Sequence, residues 1–76
     1  MLNLKVQYYK NIPLRLIDRK YEEYKAKRYL INNTNQNIWI PNIYLCEDGT
    51  IKSGANLDFI FNKQQTKHKM KLAGLN

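Results

Sequence analysis

The sequence is poor in the side chains that most often perform catalysis or bind metal ions. Cys46 is the one cysteine and His68 the one histidine in the 76 residues. A lone cysteine cannot form an intramolecular disulfide, which excludes a small disulfide-stabilised secreted domain. Neither residue has a neighbour at the spacing of a nucleophile with its base or of a metal site. The sequence therefore predicts a protein that is not an enzyme and holds no metal or cofactor, with Cys46 partly buried and His68 packed or capping.

Glycine, long apolar runs and a secretory signal are also missing or scarce. Three glycines leave no glycine-rich phosphate-binding loop. The adjacent pairs Glu22-Glu23 and Glu47-Asp48 have diverging side chains, so they do not form the facing carboxylates of a hydrolase. A mean hydropathy of −0.66 and the lack of a long apolar run exclude a membrane span. With no basic-then-apolar N-terminus, we expect a reducing cytoplasmic location.

The length predicts a single small domain over residues 1–76. Such a chain has a net stability of about 4 to 11 kcal/mol, which leaves little free energy to hold strained catalytic geometry. Thirteen Lys and Arg residues against six Asp and Glu give a formal charge of +7. A binding protein with an anionic partner and no membrane contact is therefore the better expectation.

The positive charge is concentrated at the two ends of the chain. Residues 1–31 carry eight basic and three acidic side chains, residues 32–60 one and three, and residues 61–76 four and none. The net charges are therefore +5, −2 and +4. This division predicts a structural centre between two cationic elements, which could share one face or lie apart.

The N-terminal half has strand-like patterns with one ambiguous stretch. Leu2, Leu4, Val6 and Tyr8 alternate with polar residues and predict a strand with these side chains on its apolar face. Asn11-Ile12-Pro13 predicts a chain break, since proline lacks an amide proton. Residues 14–31 fit either an amphipathic helix, with Glu23 and Lys27 as an i,i+4 pair, or two strands joined near residues 20–23.

The clearest local signal is a β-hairpin in the centre of the chain. Residues 29–31 and 38–41 are apolar stretches separated by the amide-rich segment 32–37, and Asn tolerates the left-handed backbone of turns. Pro41 predicts that the second strand ends there or lies at an edge. Trp39 is expected to be buried, so that Trp39→Ala would cost about 3 to 5 kcal/mol. Gly49 predicts a second turn over residues 47–50.

The C-terminal segment changes to helical spacing. The residues that share one face predict a helix over residues 57–73, with Asn56 at its start and Gly74 at its end; they are Leu57, Ile60, Phe61, Gln64, His68 and Leu72. Phe59 and Met70 fall on the opposite side. Either that side also packs, or residues 57–61 form a strand before a shorter helix. Together these elements predict an α+β fold, with a hairpin-based sheet of about three to five strands and a C-terminal α-helix.

The central hairpin combines Ala26-Lys27-Arg28-Tyr29-Leu30-Ile31, a polar turn and Ile38-Trp39-Ile40-Pro41, and the last helix ends in Ala73-Gly74-Leu75. This arrangement resembles small proteins of phages and mobile elements. The resemblance implies a β-rich body, with strands over residues 24–31, and a mobile-element origin. The many Asn and Lys residues suit an AT-rich genome, which indicates the same origin.

Two basic clusters are the candidate binding residues. The first combines cations with tyrosines, as nucleic-acid surfaces do, and comprises Arg19, Lys20, Tyr21, Tyr24, Lys25, Lys27 and Arg28. The second is a stripe of lysines at every fourth position, Lys63, Lys67 and Lys71, with Lys69 nearby. Like charges at this spacing destabilise a helix unless an anion binds. The alternative is that the tyrosines fill the core and the lysines are only solvated.

Two classes of function follow from these clusters. The protein binds nucleic acid, DNA or RNA, through phosphate contacts and stacking on unpaired bases, with low sequence specificity. Alternatively, it is a phage-encoded inhibitor, similar in role to an anti-CRISPR protein, that binds a host defence or replication factor. The two overlap if the partner is a host nucleoprotein. The charge of +7 disfavours mimicry of DNA.

Overall fold

A four-stranded antiparallel sheet is the centre of the molecule. The computed structural model describes residues 6–17, 19–21 and 23–75. The strands are β1 (Val6–Tyr9), β2 (Ile12–Leu16), β3 (Ala26–Ile31) and β4 (Asn37–Pro41), and they lie side by side in chain order. A 3₁₀ turn over Asn42–Tyr44 leads to helices α1 (Asp58–Phe61) and α2 (Gln64–Leu72). The predicted α+β fold, a small sheet with a C-terminal helix, is confirmed.

The turn between β1 and β2 differs in position from the sequence prediction, and as a result the side chains of β1 face the opposite way. Lys10 and Asn11, at φ 47° and 69°, form a two-residue turn that pairs Tyr9 with Ile12. The break therefore precedes Pro13, which lies within β2. This register directs Tyr9 into the core and leaves Val6 and Tyr8 exposed, so the predicted apolar face of β1 is wrong. The predicted strand positions Leu2 and Leu4 lie outside the described residues.

Within the ambiguous stretch 14–31, the described residues form two strands, β2 up to Leu16 and β3 from Ala26, and not a helix. Leu14 pairs with Ile31 and Leu16 with Tyr29 across the β2–β3 ladder. Three of these four side chains are completely buried, Leu16 being partly exposed. The alternation of period two therefore outweighs the helical spacing, because it lets both strands bury one whole face.

The β3–β4 hairpin is present as predicted. Asn32 and Asn33 adopt left-handed backbone angles at φ 51° and 57°, and β4 ends at Pro41 on an edge of the sheet. The prediction that Trp39 is buried is wrong, because its side chain is 40% exposed. Ile38 and Ile40 both face the core, so alternation places Trp39 on the opposite face.

The core lies between one face of the sheet and the C-terminal helices. This inner face contributes Leu14, Tyr29, Ile31, Ile38 and Ile40, and the helical segment contributes Leu57, Ile60, Phe61 and Ala73. The helices therefore cover the inner face, and the outer face that holds Trp39 has no covering element in the described chain. Neither described helix is long and apolar enough to cross a bilayer.

The single predicted helix is divided into two. Lys63 has an extended backbone, φ −66° and ψ 143°, which ends α1 and starts α2 in a new direction. Residues 58–61 are helical, so the alternative of a strand there is wrong. The helical segment begins at Asp58 and ends at Leu72, each one residue inside the predicted bounds. The N-cap residue is Leu57 and not Asn56, although the Asn56 side chain accepts from the Asp58 amide at 3.0 Å; Gly74 follows α2 at φ 86°, as predicted. His68 and Cys46 are exposed, contrary to prediction, because they lie on outward positions of α2 and the 46–50 turn.

Candidate functional site

The outer face of the sheet brings together most of the first predicted cluster. Alternation along β3 and β4 places Arg28 and Trp39 on this face, and the two residues pair directly across the ladder. The connection between β2 and β3 carries Tyr21 and Tyr24 against Trp39. Chain topology therefore assembles aromatic rings from two separate segments, the β2–β3 connection and β4, at one place.

Tyr21, Tyr24 and Trp39 form a cluster that we call the aromatic triad. The ring centroids of Tyr24 and Trp39 are 5.5 Å apart at 79°, and those of Tyr21 and Trp39 are 6.3 Å apart at 87°. Tyr21 and Tyr24 meet at 6.3 Å and 63°. In each edge-to-face contact only one of the two rings has a face covered, so ring surface remains for a further planar group. Tyr24 and Trp39 are 43% and 40% exposed.

Arg28 is held in a fixed position beside Trp39. Its Nε donates to the Asn37 side-chain oxygen at 2.9 Å, and its guanidinium carbon lies 5.8 Å from the Trp39 ring centroid. Among the described residues, no group accepts a hydrogen bond from its two terminal nitrogens. Arg28 can therefore donate two parallel hydrogen bonds, one from each terminal nitrogen, to a phosphate at the edge of the triad. Because the side chain is already held in place, binding costs little additional conformational entropy.

Arg19 adds a second cation to the triad, and we call Arg19 and Arg28 the basic rim. The Arg19 guanidinium lies 5.1 Å from the Tyr24 ring centroid and donates to the Tyr24 hydroxyl at 3.1 Å. Lys27 pairs with Ile40 and therefore leaves β3 on the inner face, although its amine lies 5.9 Å from the Tyr21 ring centroid and donates to the Asn42 side chain at 3.2 Å. Two arginines therefore flank the exposed rings of the triad on the outer face.

The remaining predicted basic residues lie elsewhere. Lys20 and Lys25 are exposed in the β2–β3 connection. Lys63 precedes α2, so the predicted lysine stripe keeps only Lys67 and Lys71 on the helix. Since α2 packs against the inner face, these two lysines and the aromatic triad are on different sides of the sheet.

A second concave region, which sequence reasoning missed, lies on the helical side. Tyr9 and Phe61 stack there with centroids 5.3 Å apart and an angle of 13°. Asp58 accepts from the Tyr9 hydroxyl at 2.8 Å and from the Lys10 amine at 2.8 Å. The hydrogen bonds from Lys10 and Tyr9 hold the pKa of Asp58 below its usual value, and the bond to Asp58 raises the pKa of Lys10.

The place of Trp39 in the triad was also missed. The sequence contained the information, because successive side chains of a strand alternate between its two faces. If the two isoleucines that flank the tryptophan face the core, the tryptophan must face away from it. Within the described residues, no three His, Cys, Asp or Glu side chains lie close enough together to hold a metal ion.

No family model, curated protein or solved structure matches this chain. The resemblance to phage and mobile-element proteins therefore stays a prediction, and inferences about function depend on the geometry of the described residues.

Proposed function

We propose that this protein is a non-catalytic binding protein that holds single-stranded nucleic acid on the outer face of its sheet. The supporting observation is the exposed aromatic triad inside the basic rim. Unpaired bases stack on the rings of Tyr24 and Trp39, and Arg19 and Arg28 contact the adjacent phosphates. Base-aromatic stacking contributes about 1 to 3 kcal/mol per base and tolerates any sequence.

The geometry favours unpaired strands over duplexes. Ring faces can stack only on bases that are not already stacked in a helix, and a duplex exposes such faces only at its ends. No helix of the described chain projects side chains in the manner of a base-reading helix, since α2 packs against the sheet. Low sequence specificity is therefore part of the proposal.

The test is fluorescence anisotropy of a labelled 20-mer, single-stranded or duplex, across a salt series. We expect tighter binding of the single strand, and Trp39→Ala should weaken binding about 5- to 150-fold, the equivalent of one lost stacking contact. Phe59→Ala removes an exposed ring from α1 and serves as the matched control. Binding no tighter than that of an unrelated protein of the same charge, or an unchanged affinity in Trp39→Ala, would refute the proposal.

A second candidate is docking on a host protein, as a phage inhibitor would do. It is supported by exposed apolar side chains outside the triad: Ile43 is 72% and Phe59 48% exposed, and the Phe59 ring lies 5.6 Å from that of Tyr44, which follows Ile43 in the chain. Such exposure is typical of protein contact sites when the apolar side chains are adjacent. The same two variants separate the candidates: Phe59→Ala should weaken capture of a protein from nuclease-treated lysate, whereas Trp39→Ala should not.

A further inference from the structure

A groove of about 490 Å³ lies between the β1–β2 turn and the C-terminal helices. Its walls include Tyr9 and Ile12 from the sheet and Phe61, Met70 and Leu75 from the helical segment. This volume lies in the range of small-molecule sites, about 300 to 1,000 Å³. The groove is on the opposite side of the sheet from the aromatic triad.

The floor of the groove is apolar and firmly packed. Tyr9 and Phe61 are only 8% and 6% exposed and stack on each other, and Met70 and Leu75 are half-buried beside them. The Tyr9 hydroxyl is fully engaged, because it donates to Asp58 and accepts from the Leu57 amide at 2.8 Å. The walls therefore offer few polar partners to the edges of a nucleobase but suit an aliphatic chain.

The rim of the groove carries an excess of positive charge. Lys67 and Lys71, one helical turn apart, both line it. Across the described chain neither amine has an ion pair or a hydrogen bond. The one carboxylate at the groove, Asp58, is already neutralised by Lys10 at 2.8 Å. Lys67 and Lys71 also border a neighbouring concave region with His68, and α2 contains no acidic residue. An anion between the two amines would relieve their mutual repulsion.

We propose that this groove binds a small amphipathic carboxylate. The aliphatic chain lies along Phe61, Met70 and Leu75, and the carboxylate lies between the amines of Lys67 and Lys71. A medium-chain fatty acid is the simplest ligand of this class. The proposal is independent of nucleic-acid binding, which uses the other face of the sheet.

The test is a titration of the ¹⁵N-labelled protein with decanoate, below its micelle concentration, followed by amide chemical shifts. We expect saturable changes in the amide chemical shifts of Phe61, Met70 and Leu75 and of their neighbours, and no change in the amide chemical shift of Trp39. Decanol, which has the same chain and no charge, should bind at least about tenfold more weakly, since it gains no contact with the two amines. An oligothymidylate added to the complex should not displace decanoate.

Variants separate the charge from the apolar floor. Lys67→Gln with Lys71→Gln should reduce decanoate affinity about tenfold or more and make it similar to that for decanol. Lys52→Gln with Lys63→Gln removes the same charge away from the groove and should leave the affinity unchanged. Met70→Gln should weaken the binding of both decanoate and decanol. A native dispersion of the amide chemical shifts checks that this variant is folded. Equal binding of decanol and decanoate, no saturable shift, an equal loss in the control double variant, or displacement by oligothymidylate would overturn the proposal.

Discussion

The hydroxyl group of Tyr29, a residue completely buried in β3, donates a hydrogen bond to the carbonyl oxygen of Gly49. The same oxygen accepts from the Gln7 side-chain amide at 2.9 Å, and the Gln7 oxygen accepts from the Ile51 amide at 3.0 Å. Burial raises the pKa of Tyr29, because ionisation inside the core is unfavourable. The 46–51 turn is thus fixed to the sheet by two side chains.

Tyr29→Phe should destabilise the protein by about 1 kcal/mol, the usual net contribution of one hydrogen bond. The loss stays small because the Gly49 carbonyl keeps its bond from Gln7. Urea denaturation followed by circular dichroism measures it. Tyr8→Phe, which removes a hydroxyl from a side chain that is 67% exposed, should leave the stability unchanged. Equal effects of the two variants would contradict the role of the buried bond.

Gly49→Ala should destabilise the protein by about 1 to 3 kcal/mol or more, because it combines a left-handed backbone with a steric overlap. A Cβ at Gly49, where φ is +90°, would lie 2.7 Å from Leu16 Cδ2. Gly54 is the matched control, since its φ of +83° is similar and no atom lies within 4 Å of its Cβ position. Thermal melts of both variants isolate the overlap, and a loss in Gly54→Ala as large as that in Gly49→Ala would argue against it.

Ile40→Ala should destabilise the protein more than Trp39→Ala, although tryptophan is the larger side chain. Ile40 is completely buried and its truncation should cost about 2 to 5 kcal/mol, whereas Trp39 loses contacts to two tyrosine rings, about 1 to 2 kcal/mol. Denaturant unfolding of both variants ranks them. The reverse order would mean that Trp39 belongs to the core.

The contribution of the Lys10–Asp58 pair to stability should depend on pH at both ends of the range. The folded pKa of Asp58 is lowered from 3.8, so its contribution is present above pH 3.8 and is lost as pH falls through the folded pKa. The folded pKa of Lys10 is raised from 10.5, so the contribution of Lys10 to stability is present below pH 10.5 and is lost as pH rises through the folded pKa.

The difference in Tm between wild type and Asp58→Asn should therefore be largest between pH 3.8 and pH 10.5 and should become smaller at lower and at higher pH. Glu47→Gln removes an exposed carboxylate that has no partner in the described chain, and should show no such window. A difference that does not vary with pH would show that Asp58 acts through packing alone.

The salt dependence of nucleic-acid binding should report the basic rim and not the C-terminal lysines. Changing Arg19 and Arg28 to Gln should flatten the log-log slope by about 1.4 units, since each phosphate contact on a single strand contributes about 0.7. The double change of Lys67 and Lys71 to Ala removes equal charge from the other side of the sheet and should leave the slope unchanged. If the C-terminal set has the larger effect, the working surface is not the outer face.

Local patterns predicted the β3–β4 hairpin and, to within one residue, both ends of the C-terminal helical segment, because asparagine and glycine specify backbone angles by themselves. The facing of β1 could not be predicted in this way. Tyr8 and Tyr9 are both aromatic, and only the two-residue turn at Lys10 and Asn11 decides which of them enters the core. The interruption at Lys63 has no proline or glycine to signal it, so no local pattern predicts the extended backbone there.

The candidate site was predictable in part. Interleaved cations and tyrosines indicated Arg28, Tyr21 and Tyr24 correctly as neighbours, because they are close in sequence. The place of Trp39 in the site depends on which face of β4 its side chain occupies. The sequence prediction buries Trp39 because it is the largest apolar side chain, and so misses this residue. The groove formed by Tyr9 and Phe61 depends on a contact between residues far apart in the chain, which no local pattern contains.

The order of the strands in the sheet has a consequence for folding kinetics. Each strand pairs with its neighbour in sequence, so β1 to β4 can assemble as three successive hairpins with short loop closures. The hydrogen bonds of Tyr9 with Asp58 and Leu57, in contrast, join residues 49 and 48 positions apart and close a long loop between β1 and α1. Folding should therefore begin in the sheet, and arrival of the helical segment on its inner face should be the late step that completes the core.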